Sequence, residues 1–192
     1  MDYYRIDVYD RQEPGFCFID RPPEEIHLLS SYIASGEAAA EEYPENVIAK
    51  MDPNEGGIVL SDFIANSELC LICSERVKLV IEKLCGDSCE YLPVSIENHK
   101  GRIASSEYFY INPLGLHDVL NQSLSEIDRT DDGDVIDVEK FVLDTTKMKD
   151  VPPLFRVVEK DSEYFASEVL IDALKKEIPD LTNLNLEPIE VA

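Results

Sequence analysis

Nothing in this sequence approaches the roughly 20 consecutive apolar residues that cross a bilayer as a helix. Its first residues, Met-Asp-Tyr-Tyr-Arg-Ile-Asp, lack the basic segment and apolar core of a secretion signal. A cytoplasmic protein is therefore expected, with its five cysteines reduced. Basic residues are also scarce. Seventeen Lys and Arg stand against 40 Asp and Glu, a formal net charge of -23. A surface of that sign repels nucleic-acid backbones and anionic membranes, and attracts basic proteins. Aromatic residues are only 8% of the chain and do not alternate with basic ones, so no base-stacking platform is expected.

Catalytic signatures are missing too. The three histidines, His27, His99 and His117, sit in unrelated contexts. No nucleophile elbow, phosphate-binding loop or dinucleotide fingerprint occurs. Ser74 and Ser167 read as helix caps rather than nucleophiles. No catalytic residue and no cofactor is expected. Two metal patterns need weighing. Cys70, Cys73, Cys85 and Cys89 have a zinc-like spacing, but the residues inside the first pair, Leu71 and Ile72, form an apolar extended run. Such a run turns Cys70 and Cys73 to opposite faces. Residues 128–139 overlay a calcium loop at Asp128, Gly133, Val135 and Glu139. The β-prone run that follows fits a strand, not the exit helix such a loop needs. No metal site is expected from either pattern.

What is present is a globular composition, 44% hydrophobic and 30% charged, in a length that suits one large domain or two lobes sharing a core. Tyr4, Ile6 and Val8 alternate as a strand. Pro22, Pro23, Glu24 and Glu25 open a helix that carries Ile26, Leu29 and Ile33 inward and stops near Gly36. A further helical turn is expected over residues 37–43, and a loop over residues 52–57. That loop is the expected seam between an N-terminal strand and helix segment (1–57) and the remainder (58–192). Residues 58–60 and 69–72 read as short extended runs. Residues 91–96 and 108–112 read as a hairpin, with Pro93 tolerated at an edge or strand start. Leu116, Val119, Leu120 and Leu124 have helical spacing, and residues 135–143 are strongly β-prone.

Part of the chain is written twice. Residues 69–96 and 154–191 each hold a Ser-Glu helix start, an amphipathic run and a closing Pro-[Val/Ile]-x-[Ile/Val]. The first helix face is Val77, Val80, Ile81 and Leu84; the second is Leu170, Ala173, Leu174 and Ile178. The expected fold is α+β: a mixed, mostly antiparallel sheet with packed helices, containing a duplicated strand–helix–strand unit.

From about Ile58 onward the order of these pieces resembles a known family. The matching stretches are Ile72 to Glu75, Tyr91 to Val94, Tyr108 to Asn112 with Asp118 to Leu120, and Lys140 to Asp144. Leu154 to Arg156 and the Ser167-Glu168 helix with Leu186 to Pro188 complete the series. In this order they are similar to the bacterial immunity-protein domain of polymorphic toxin systems, named after a myxobacterial member. The resemblance implies an α+β protein that binds and neutralises a cognate toxin domain, and it brings no catalytic residues. Charge points to a basic toxin, such as a nuclease. The candidate contacts are the acidic clusters Glu24 and Glu25, Glu41 and Glu42, and Asp131, Asp132 and Asp134. Two other readings stand beside it: an acidic metal- or calcium-binding module, and a small enzyme that reverses a toxin's modification.

Overall fold

Strand–helix–strand units organise the chain, and the same unit occurs twice in a computed structural model that describes all 192 residues. In the first, β5 (Leu71–Ser74) leads into α2 (Glu75–Cys85) and then β6 (Cys89–Glu97). Both strands lie antiparallel to β7 (Ile103–Pro113), one on each side of it. In the second, β12 (Lys160–Ser167) leads into α3 (Glu168–Glu177) and β13 (Asn185–Val191). Here the strand between them is β1 (Tyr3–Asp7), supplied by the N-terminus.

The correspondence holds to the register. Ser74 pairs with Tyr108 while Pro93 pairs with Phe109. Ser167 pairs with Tyr3 while Pro188 pairs with Tyr4. The flanking strands repeat as well. A hairpin partner precedes each unit: β4 (Phe63–Asn66) on β5, and β11 (Leu154–Val157) on β12. A short parallel strand pairs with the C-terminal end of each closing strand: β3 (Ile48–Lys50) on β6, and β10 (Val142–Leu143) on β13. With β2 (Phe18–Ile19) added beside β4, the result is one six-stranded and one five-stranded sheet. The structure is thus α+β with mostly antiparallel pairing.

The two proline positions have a shared reason. The Pro93 carbonyl accepts from the Tyr43 hydroxyl at 3.0 Å, away from β7. A strand residue's nitrogen and carbonyl point to the same side, so the missing N–H faces the free edge. The parallel edge strands begin pairing only two residues later, at Ser95 and Glu190.

Strand alternation sorts side chains into three cores. Leu71, Cys73, Ile111, Ile6, Tyr164 and Ala166 meet the apolar faces of α2 and α3 in the central one. Val77, Val80, Ile81, Cys85, Leu170, Ile171 and Leu174 are the buried helix residues. Full burial of each aliphatic side chain contributes about 1.5–3 kcal/mol. The outer face of the six-stranded sheet carries Ile64, Ile72, Leu92, Val94, Tyr108 and Tyr110, and residues 17–51 cover it. The outer face of the five-stranded sheet carries Phe155, Val157 and Phe165, and residues 119–151 cover it. Within the second cover, β8 (Glu126–Arg129) and β9 (Val135–Lys140) form a hairpin.

Several local expectations fail for identifiable reasons. The helix expected over residues 116–124 does not form, because strand edges take its backbone groups. His117 donates to the Arg156 carbonyl, Asn121 to Val142, and the Val119 carbonyl accepts from Asp144. The helical turn expected at residues 37–43 is confined to residues 39–43, where Glu42 and Tyr43 donate to the Ala39 and Ala40 carbonyls. The free N–H groups of Ala39 and Ala40 at its start are taken by the Glu90 carboxylate. The helix expected from Pro23 to Gly36 is split into a 3-10 turn, Glu24–Ile26, and α1 (Ser30–Ser35). Gly36 ends it as expected, with a left-handed φ of 80°. Residues 58–60 form only a single bridge, between Val59 and Phe16. Ser74 and Ser167 occupy N-cap positions, but neither side chain caps its helix. The Ser74 hydroxyl donates to Asp62 instead, at 2.8 Å. Cys70 and Cys73 lie in different cores, on opposite faces of the sheet.

Candidate partner-binding site

The acidic clusters sit on the covers rather than on the duplicated units. Glu24 and Glu25 begin the 3-10 turn after Pro23, and both are exposed. Glu41 and Glu42 are exposed in the turn that Glu90 holds through Ala39 and Ala40. Asp131, Asp132 and Asp134 occupy the exposed tip of the β8–β9 hairpin. At that tip Thr130 donates its N–H to Asp134, and Asp134 returns one to the Thr130 hydroxyl. The first two clusters therefore share one cover and the third lies on the other; the fold does not bring all three together. None of the seven carboxylates forms an ion pair, although ten other carboxylates do. Their charge stays available to a partner.

Glu24 and Glu25 differ from the other clusters in lining a cleft. It has a volume of about 850 Å³. One wall runs from Asp20 to His27 and the other is built from Ile48, Lys50, Met51, Asp52, Pro53 and Asn54. Asp52 folds the second wall into a turn by accepting from the Asn54 amide at 2.8 Å. Carboxylates outnumber cations in the lining, and Arg21 is engaged with Asp20 at 3.6 Å. The cleft is thus suited to a cationic group.

Three buried polar groups were not singled out by the sequence, and the first of them supports this surface. Arg156 is fully buried and has no carboxylate partner. Its guanidinium donates to the carbonyls of Ala34, Ile33 and Asp161 and to the Tyr164 hydroxyl. It lies over the Tyr164 ring, 4.0 Å from the centroid. It therefore ties the end of α1, on one sheet's cover, to β11 and β12 of the other sheet. A lone charge inside the apolar run 154–158 was the available signal.

Asp62 is the second. It accepts from Arg76 Nε at 2.6 Å and Nη2 at 2.7 Å, and from Ser74 and Thr182. Burial pushes its carboxyl up, but these hydrogen bonds outweigh that and hold it below the ordinary value of 3.8. Asp62 and Arg76 line a second, polar cleft of about 500 Å³. The register places Pro153 where Asp62 stands in the first unit, and Val169 where Arg76 stands, so this ion pair belongs to one unit only.

Glu68, between β4 and β5, is the third. Both its carboxylate oxygens are buried without a hydrogen-bond partner. Burial, with the nearby Asp20 charge, raises its pKa to about 7.

The curated proteins include no match to this chain. The immunity protein family (Imm11) matches it over residues 7–191, nearly its whole length, and the chain belongs to that family.

Proposed function

We propose that this chain is a stoichiometric, non-enzymatic inhibitor that acts in the cytoplasm by binding a basic toxin domain and occluding its working surface. Family membership supports toxin neutralisation as the role. The observation that carries the basic partner is the pattern of charge. The net charge is -23, and the exposed clusters at Glu24, Glu25, Glu41, Glu42, Asp131, Asp132 and Asp134 form no ion pair within the molecule. An unpaired acidic surface raises association rates with a basic partner and adds complementarity once bound. A nuclease is the toxin class that fits best, because it must present cations to phosphate.

The test is co-expression with the cognate toxin domain, sought at the C-terminus of any large secreted protein encoded beside this chain. Survival and co-purification as a stable complex are expected. Survival without any complex would refute binding and favour enzymatic reversal of the toxin's damage.

A further inference from the structure

We propose that the toxin docks on the exposed face that runs from the Glu24–Glu25 cleft wall along α1, with Leu28 and Tyr32 as its apolar anchor and the cleft holding a lysine or arginine side chain of the toxin. This rests on the toxin-binding reading above and names the surface and the chemistry it recognises.

Leu28 is 82% exposed, more than any other large hydrophobic residue of the chain, and Tyr32 is 45% exposed. His27 and Leu29 have right-handed helical dihedrals, and Ile33 donates to the Leu29 carbonyl at 3.0 Å. The helical path is therefore continuous enough to set Leu28 and Tyr32 one turn apart on one side. Glu24 and Glu25 precede Leu28 by four and three residues, so acidic and apolar groups form a single stripe. The opposite side of the same helix, through Ile26 and Ile33, is buried. The stripe is a helix face with no partner inside the molecule.

Charge selects the occupant. Four carboxylates, Asp20, Glu24, Glu25 and Asp52, line the cleft beside the stripe against two cations, Lys50 and the Asp20-paired Arg21, so the cleft keeps a net negative charge. A second copy of this chain would bring two such acidic walls together, which is unfavourable. A basic protein surface with an apolar side chain next to its cation fits both halves of the stripe. The face is also rigid. Arg156 holds the carbonyls of Ile33 and Ala34, and Gly36 offers its carbonyl to Gly115 at 3.0 Å. A preorganised face loses little entropy on binding. Neither of the two clefts described above is lined by Glu41, Glu42 or the hairpin-tip aspartates.

Binding of the intact chain to its inactivated cognate toxin domain tests the proposal. Two variants are compared with wild type: Leu28→Ala with Tyr32→Ala, and Glu24→Gln with Glu25→Gln. The apolar pair is expected to weaken Kd by about tenfold or more, through faster dissociation. The glutamine pair is expected to slow association at low salt and flatten its salt dependence. All four side chains are exposed, so an unchanged Tm certifies the fold. Hydrogen exchange on the wild-type complex should show new protection over residues 24–35. Wild-type-like binding by both variants, with no protection there, would overturn this docking face while leaving toxin binding intact. No binding by the wild-type chain would overturn the toxin-binding reading and this proposal with it.

Discussion

Glu68 gives the sharpest test of the energetics, because its cost depends on pH. Its carboxylate is buried beside Asp20 without a hydrogen-bond donor, and its pKa rises from an ordinary 4.5 to about 7. Below pH 4.5 the group is neutral in folded and unfolded chains alike, and its contribution to stability is fully present. Above 4.5 the unfolded chain ionises first, and the native state loses ground until pH passes about 7. A displacement of that size corresponds to about 3 kcal/mol once both states are ionised. Glu68→Gln removes the charge and keeps the shape. Urea unfolding of both proteins at pH 4.5, 5.5, 6.5 and 8 should show the variant gaining stability relative to wild type as pH rises. The relative gain should reach about 3 kcal/mol at the alkaline end. A constant offset from Gln itself does not matter; the slope is the signal. Parallel stability profiles would refute the claim that an ionised Glu68 is buried without a partner.

Other perturbations should separate as follows. Asp62→Ala removes the acceptor shared by Arg76, Ser74 and Thr182; Arg76 is half-exposed and keeps Asp180, so the expected cost in urea unfolding is that of the unmade hydrogen bonds, about 1–3 kcal/mol. The wild-type contribution of Asp62 should persist above pH 3.8 and fade as pH falls through its depressed pKa, a loss absent from Asp62→Asn. Gly36→Ala would place a Cβ 2.9 Å from both the Pro113 carbonyl oxygen and Arg156 Cδ, at a φ of +80°. The backbone strain alone costs about 1–3 kcal/mol, so Tm should drop by several degrees. Reversal of Asp131, Asp132 and Asp134 to lysine tests the hairpin tip, and slower association with the toxin at low salt is the expected result if that tip steers the encounter. An unchanged on-rate would remove the tip from the encounter surface.

Regular elements with strong periodicity were legible in the sequence. The faces of α2 and α3, the β1 alternation and the β6–β7 hairpin all follow from side-chain spacing, which reports burial directly. The covers were not legible, because their backbone groups are satisfied by distant residues. Leu116, Val119, Leu120 and Leu124 have helical spacing, yet β11 and β10 claim the backbone there. Residues 39–43 keep a short hydrogen-bonded turn, but nothing local shows that Glu90, fifty residues away, anchors it through the Ala39 and Ala40 N–H groups. The acidic clusters were visible as composition, but nothing local marks Glu24 and Glu25 as lining a cleft. That depends on residues 48–54 forming the opposite wall.

The symmetry of the scaffold bears on where recognition resides. Two units that keep the same register around β7 and β1 must keep similar apolar faces, since a one-residue slip would turn each strand's core side chains outward. That leaves little freedom for partner-specific chemistry on the units themselves. The covers obey no such rule. One carries a split helix, a cleft and two acidic clusters; the other carries a hairpin with an acidic tip. Arg156 joins the two systems, rising from β11 of the five-stranded sheet to hold the end of α1 on the other sheet's cover. Replacing it with methionine would leave the Ile33 and Ala34 carbonyls without their donor and release α1 from the scaffold. If α1 presents the docking face, Arg156→Met should weaken toxin binding by more than its effect on global stability accounts for. It should also raise hydrogen exchange selectively over residues 30–36. Equal loosening across the whole chain would make Arg156 a general core residue and not the support of a recognition surface.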